Sequence, residues 1–231
     1  MDYDTVARDY DRFNSGFDYG DYLSHILPYL DLPDHPLALD CGCGTGALML
    51  ELFRRGFDCS GVDASPEMLD IAFEKLSDAG YTPHLMCQSL PEIDLYGAYH
   101  GVFSSMDTVN HLLDKRQVKG FFKRIYNFTE PGGYFIFDLK DKKQFSDTTP
   151  QIDEKDGATL ILQKSFDGTY AYQKLTIFRP DADAYCRAEE EIWERWYDPS
   201  ELRSYLRTVG FRSVQTIPYH GRKIIIVRRP L

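Results

Sequence analysis

The chain has 231 residues, 43% of them hydrophobic and 27% charged, with 17 glycines and 12 prolines, the composition of a folded globular protein with one substantial core. A net charge of -10 makes attraction to phosphate backbones or anionic lipid unfavourable, so neither nucleic acid nor a membrane is an expected partner. Five scattered cysteines make no disulfide framework, no apolar run approaches a membrane span, and the start Met1-Asp2-Tyr3-Asp4 lacks a signal pattern, so a cytoplasmic location is expected.

Tyr3, Val6, Tyr10 and Phe13 share one helical face and lead into an aromatic run ending at Tyr22, so residues 1–30 are read as a helical leader. From about residue 37, short apolar runs alternate with helix-period stretches, the rhythm of βα units feeding a mostly parallel sheet. Strands are predicted over 37–41, 57–62, 82–87, 99–104 and 134–139, the last after a turn at Pro131-Gly132-Gly133. Helices are predicted over 46–55, over 66–79 with Ser65 as cap and Pro66 at the first position, and over 114–128, where Val118, Phe121, Phe122, Ile125 and Phe128 share a face.

The rhythm changes near residue 145. Residues 159–166, 169–178 and 185–197 alternate with period two, and Asp167-Gly168 signals a hairpin, which predicts an antiparallel meander inserted at 145–197. The α/β core, residues 31–144 and 198–231, resumes with a helix opened by an arrangement resembling a capping box, Asp198 to Glu201, and closes with strands over 213–217 and 224–227. The expected fold is thus a Rossmann-like, mostly parallel seven-stranded sheet with helices on both faces, plus an antiparallel lid.

The chemistry points to the first strand, which runs into Asp40-Cys41-Gly42-Cys43-Gly44-Thr45-Gly46. Glycines there allow a tight turn and let a ligand approach the backbone amides at a helix N-terminus, which favour an anionic group. Asp63 ends the second strand, where a carboxylate can accept both hydroxyls of a ribose. Cys41 and Cys43 read as packing residues, and there is no Cys-x2-Cys pair for zinc.

These residues, with Gly61-Val62-Asp63-Ala64-Ser65-Pro66-Glu67-Met68-Leu69, resemble class I S-adenosylmethionine-dependent methyltransferases, and the resemblance runs through nearly the whole chain. It implies that Asp40, Gly42, Gly44 and Gly46 surround the methionine end of S-adenosylmethionine, that Asp63 holds the ribose, and that Ala64 and Met68 flank the adenine. Ser89 stands where such enzymes often place an aspartate on the adenine amine, with Leu90 beside it, and His100 stands where an aspartate is common before the fourth strand. Ser105 and Met106 follow the fourth strand and complete the implied cofactor set, with Tyr10 and Tyr19 supplied by the leader.

Asp107 and His111, in the polar segment after the fourth strand, are the catalytic candidates, and Asn110 a substrate candidate; a helix cap is the structural alternative for Asp107. In the meander, Arg187, Glu189, Glu191, Trp193 and Arg195 share one sheet face, and Trp193 and Arg195 are the substrate candidates there. No metal is expected. The activity this implies is methyl transfer to a nitrogen or oxygen of a small polar metabolite. A nicotinamide oxidoreductase, which Gly42, Gly44 and Ala47 would also suit, and a cofactor-binding protein without activity are the alternatives, and a homodimer is an open option.

Overall fold

The structure, a computed structural model, describes residues 5–146 and 148–231; Tyr3 lies outside them. Alternation of apolar residues decides how the central sheet is covered. Along β5 (Thr129–Lys140), Phe135, Phe137 and Leu139 point to one face, while Tyr134 and Ile136 point to the other; β11 (Arg222–Arg228) divides Ile225 and Val227 from Ile224 and Ile226 in the same way. The first face is covered by α5 (Lys115–Phe128) and α6 (Pro199–Val209), the second by α2 (Tyr19–Ile26), α3 (Ala47–Arg54) and α4 (Pro66–Asp78). Each fully buried Phe or Leu in these layers contributes about 1.5–3 kcal/mol.

With β1 (Leu37–Cys41), β2 (Asp58–Asp63), β3 (His84–Cys87), β4 (Tyr99–Ser104) and β10 (Arg212–Tyr219), the sheet has the order β10-β11-β5-β4-β1-β2-β3. β11 is antiparallel to β5 and to β10, and the other pairings are parallel. The parallel strands end together at the edge carrying the glycine loop, Asp63 and the 105–111 segment.

Three local expectations are corrected. β3 starts at His84 rather than residue 82. Pro131-Gly132-Gly133 is no separate turn but part of β5, because Gly132 and Gly133 exchange backbone hydrogen bonds with Arg229. The complete capping box lies at Asp114 and Gln117, whereas Asp198 caps α6 alone and Glu201 turns to Lys115 and Tyr205. His100 is structural, its Nδ1 accepting the Leu37 amide at 2.9 Å.

The inserted segment has four strands rather than three: β6 (Thr148–Lys155), β7 (Ala158–Phe166), β8 (Tyr170–Asp181) and β9 (Ala184–Arg195), in that order as a separate antiparallel sheet. Strand β6 was missed because it is polar and contains Pro150, which suits an edge position. The turn at Asp167-Gly168 is as expected, with Asp167 Oδ1 accepting the amides of Thr169 and Tyr170 at 2.7 Å each. No described helix is long and apolar enough to cross a membrane.

Candidate active site

At the carboxyl edge of the sheet lies a cavity of about 290 Å³. Its lining includes Tyr10, Tyr19, Gly42, Gly44, Asp63, Ala64, Met68, Ser89, Leu90, Ser105, Met106 and His111, which brings together most of the residues singled out from sequence. The glycine loop does not present a row of free amides, as the sequence reading expected. Gly42 and Cys43 donate to the Val62 carbonyl, Gly44 donates to Asp63 Oδ2 at 2.8 Å, and Gly46 donates to the Cys43 carbonyl. What the loop offers instead is space: a Cβ on Gly44 would meet nothing, and this residue lines the cavity. Gly42 is needed for another reason, since at φ +75° its Cβ would run into Thr108. Gly46 does not reach the cavity; it caps α3 in the left-handed region with its Cβ position against Ala72 of α4.

Two carboxylates sit behind the loop. Asp63 accepts the Gly44 amide and, through Oδ1, the Ser65 amide at 2.9 Å, but burial outweighs these bonds and raises its pKa. Both oxygens keep acceptor capacity toward the cavity, the geometry a ribose diol requires. Asp40 is not in the lining; it is 1% exposed, and its Oδ1 has no hydrogen-bond partner among the described residues. Burial, with Asp63 adding to it, pushes this carboxyl up to about 8. A buried acceptor left bare beside a ligand cavity fits a group with spare donors, and an ammonium is the chemistry that would satisfy it. The residues present therefore suit S-adenosylmethionine, with a ribose on Asp63 and an amino-acid end near Asp40.

Helix α1 (Ala7–Asn14) covers the opening and is fastened by Asp11, which accepts from Thr45 Oγ1 and pairs with Lys75, both at 2.6 Å. Tyr10 and Tyr19 are half-buried on the cavity wall, and desolvation is the main reason both phenols are held un-ionised.

Beyond α1 a second cavity, of about 300 Å³, lies between the core edge and the inward face of the antiparallel sheet. It shares Tyr10 and Met106 with the first. Its polar end is a chain of buried charges. Asp107 pairs with Arg222 and, at 2.9 Å, with Lys140; Lys140 also binds Glu194 at 2.5 Å, and Arg222 binds Asp138 at 3.1 Å. Burial opposes ionisation of Asp107, but Lys140 and Arg222 overcome it and hold the carboxyl below the usual range. Burial likewise opposes the Lys140 charge, and Asp107 and Glu194 more than restore it.

Asp107 is thus engaged by two cations, and its side chain makes no helix cap. It and Met106 have positive φ, 67° and 55°, a strained pair held because both amides donate to Asp138, at 3.0 and 2.9 Å. His111 lines the first cavity with Nε2 3.8 Å from Glu194 Oε1.

Three sequence candidates are placed elsewhere. Asn110 is buried as a clamp, donating to the Arg195 carbonyl at 2.8 Å and accepting the Lys140 amide at 3.4 Å. Arg195 donates to the Leu113 carbonyl and Tyr170 hydroxyl, 2.9 Å each. Trp193 packs at a tilt against Tyr172 on the outer face, 46% exposed. The face turned inward is the other one, carrying Ile192 and Glu194, and the sequence signal was available: apolar Ala188 and Ile192 alternate with charged Arg187, Glu189 and Glu191. Lys140, Arg222 and Glu194 had no local motif to announce them.

The sheet order, the glycine loop ending β1 and the acidic residue ending β2 define the Rossmann-like transferases that take a nucleoside cofactor at the carboxyl edge. Residues 38–133 match the family described as a methyltransferase domain. The chain is 28% identical over 219 residues to YqeM of Bacillus subtilis (strain 168), named as a methyltransferase, covering 92% of this chain and 87% of that one. Its fold is shared with a S-adenosylmethionine-dependent methyltransferase of Clostridium acetobutylicum, TM-score 0.87 at 24% identity over 99% of both chains. It is shared too with the S-adenosylmethionine-bound amino pentose methyltransferase CalS10 of Micromonospora echinaspora, TM-score 0.79 at 18% identity over 96% of both. Residues 38–133 thus match a methyltransferase domain, and these likenesses favour an S-adenosylmethionine-dependent methyltransferase over a nicotinamide oxidoreductase or an inactive binder.

Proposed function

We propose that this enzyme methylates a nitrogen or oxygen of a small polar metabolite, with the cofactor in the first cavity and the acceptor in the second. The observation that carries this is the junction: two cavities of similar size, one behind the glycine loop and one under the antiparallel sheet, share Tyr10 and Met106. S-adenosylmethionine supplies a methyl group on a positively charged sulfur, ready for in-line displacement. The chain's part is alignment and exclusion of water, for which α1 flanks both cavities and the antiparallel sheet covers the second.

In this reading Asp63 receives the ribose, Ala64, Met68, Ser89 and Leu90 bound the adenine, and Gly42, Gly44, Ser105, Tyr10 and Tyr19 enclose the remainder. Asp40 takes the ammonium of the amino-acid end. Asp107 serves to hold Lys140 and Arg222 rather than to accept a proton, since a carboxylate with a lowered pKa is a weak base. His111, beside Glu194, is the group to take the proton released by the acceptor. The enzyme acts in the cytoplasm, as a monomer or a homodimer.

The experiment is a thermal shift followed by turnover. S-adenosylhomocysteine should raise the melting temperature and NAD should not. Formation of S-adenosylhomocysteine in a panel of amines, alcohols and carboxylates then reports activity. Stabilisation by NAD alone would overturn the reading.

A further inference from the structure

The sheet over the second cavity presents a graded face. Strand pairing sets Leu160 opposite Ile177, then Leu162 opposite Leu175, then Lys164 opposite Gln173, and all six line the cavity. Two rows are aliphatic and the third is polar. The polar row is the one next to Glu194 on β9, and so lies toward Lys140 and the junction with the cofactor side.

The charges at this end are unevenly satisfied. Lys140 is held by Asp107 and Glu194, and Arg222 by Asp107 and Asp138. Asp9, at the far margin, is bound by Arg12 and Arg179. The Lys164 ammonium makes no ion pair or hydrogen bond among the described residues. Burial and the repulsion of Lys140 lower its pKa, against the weaker pull of Glu194 and Asp107. The acids facing the cavity already have cations, while one half-buried ammonium has no anion. A ligand ammonium would find no unpaired acid there, since Asp107, Asp138 and Glu194 are already engaged, whereas a carboxylate would give Lys164 the direct partner it lacks.

We infer that the acceptor is a carboxylate with an apolar body, its carboxylate received by Lys164 and Gln173 and its hydrocarbon laid on Leu160, Leu162, Leu175 and Ile177. This rests on the proposed methyltransferase function only in calling the ligand an acceptor; binding itself is independent of turnover. The neighbouring amide of Gln173 adds a donor beside the ammonium, so the head group is met by two side chains on adjacent strands.

The test uses three probes of one shape, octanoate, octanamide and octylamine, titrated calorimetrically into the full chain with and without saturating S-adenosylhomocysteine. Octanoate should bind at least about 10-fold more tightly than the other two, since a charge-assisted bond is about twice as strong as a neutral one. Lys164→Met should erase that preference to within about 2-fold while Lys164→Arg retains most of it, the expected reading of a charge contact. Leu162→Asn should weaken octanoate and octanamide alike, with the preference intact, because only the apolar floor is altered. Equal binding of the three probes, tighter binding of octylamine, or an undiminished preference in folded Lys164→Met would overturn the proposal. Titration of S-adenosylhomocysteine in the same experiment separates this result from the function it builds on: cofactor binding without carboxylate preference ends the inference alone, and carboxylate binding without cofactor binding ends the methyltransferase assignment alone.

Discussion

The two cavities are nearly equal in volume, about 290 and 300 Å³, yet they are built in opposite ways. The first is lined largely by short runs of consecutive residues at strand ends, 42–45, 63–64, 89–91 and 105–106, because parallel strands deliver their following loops to one edge. The second gathers residues scattered from 6 to 222, alternate positions of an antiparallel sheet and ion pairs between elements far apart in sequence. Local backbone geometry holds the first, and buried charge holds the second. Substitutions should therefore fail differently on the two sides.

The largest effect is expected in the charge chain. Lys140→Met leaves Asp107 and Glu194 buried with a lost partner, which should cost about 3–5 kcal/mol of folding stability, whereas truncating an exposed pair such as Lys223 with Asp141 should cost under about 1 kcal/mol. Urea unfolding of both variants checks the contrast. Equal losses would show that the second cavity does not depend on its ion pairs.

On the cofactor side, Asp63→Ala should weaken S-adenosylhomocysteine binding by about 1–3 kcal/mol through the lost acceptor for the ribose. The same substitution frees the Gly44 and Ser65 amides, so the loop should also exchange its amide hydrogens faster. Unchanged affinity by calorimetry would remove the ribose assignment.

Asp40 sharpens the comparison because its charge state depends on the ligand. Its folded pKa is raised to about 8, so between about pH 4 and 8 the native state holds a proton that the unfolded chain has lost. Stability of the cofactor-free protein should accordingly fall as pH rises through that window, by up to about 1.4 kcal/mol per pH unit, and Asp40→Asn should flatten the slope. An arriving ammonium favours the carboxylate, so binding near pH 7 should release a proton from Asp40, seen as a binding enthalpy that varies with the ionisation enthalpy of the buffer. Proton uptake in its place would contradict the ammonium assignment.

The smallest effect belongs to Trp193→Ala. This ring lies on the outer face against Tyr172, so the change should cost about 1 kcal/mol or less and leave cofactor affinity and turnover near wild type. A tenfold loss of turnover in a stable Trp193→Ala variant would return the acceptor to the outer face.

The same division explains what could be read in advance. β1 and β4 were legible to the residue, and α4 nearly so, because glycine, proline and serine mark loops and caps over three or four positions. Asp63 and Gly44 line the cavity as their places at such strand ends suggested, and Met68, which the family resemblance supplied, lines it too. For the meander, alternation gave the strands and apolar Ala188 and Ile192 marked the inward face, but the substrate reading followed the aromatic and cationic side chains of Trp193 and Arg195 to the other face. Asn110 and Gly46 are polar or small at positions where a ligand role and a packing role look identical in sequence; only the contacts to Arg195 and Ala72 distinguish them. Lys140 and Arg222 sit at the end of β5 and the start of β11, and nothing local reveals that antiparallel pairing sets them side by side.

Transfer from one cavity to the other requires that the methyl lie where they meet, at Tyr10 and Met106. The most direct measurement is a nuclear Overhauser experiment on the enzyme saturated with S-adenosylmethionine carrying a carbon-13 methyl. The methyl is predicted to show cross-peaks to the Tyr10 ring and the Met106 side chain, at the entrance to the second cavity. Cross-peaks to Met68 and Leu90 instead, with none to Tyr10 or Met106, would place the methyl at the opposite end of the first cavity and contradict the account.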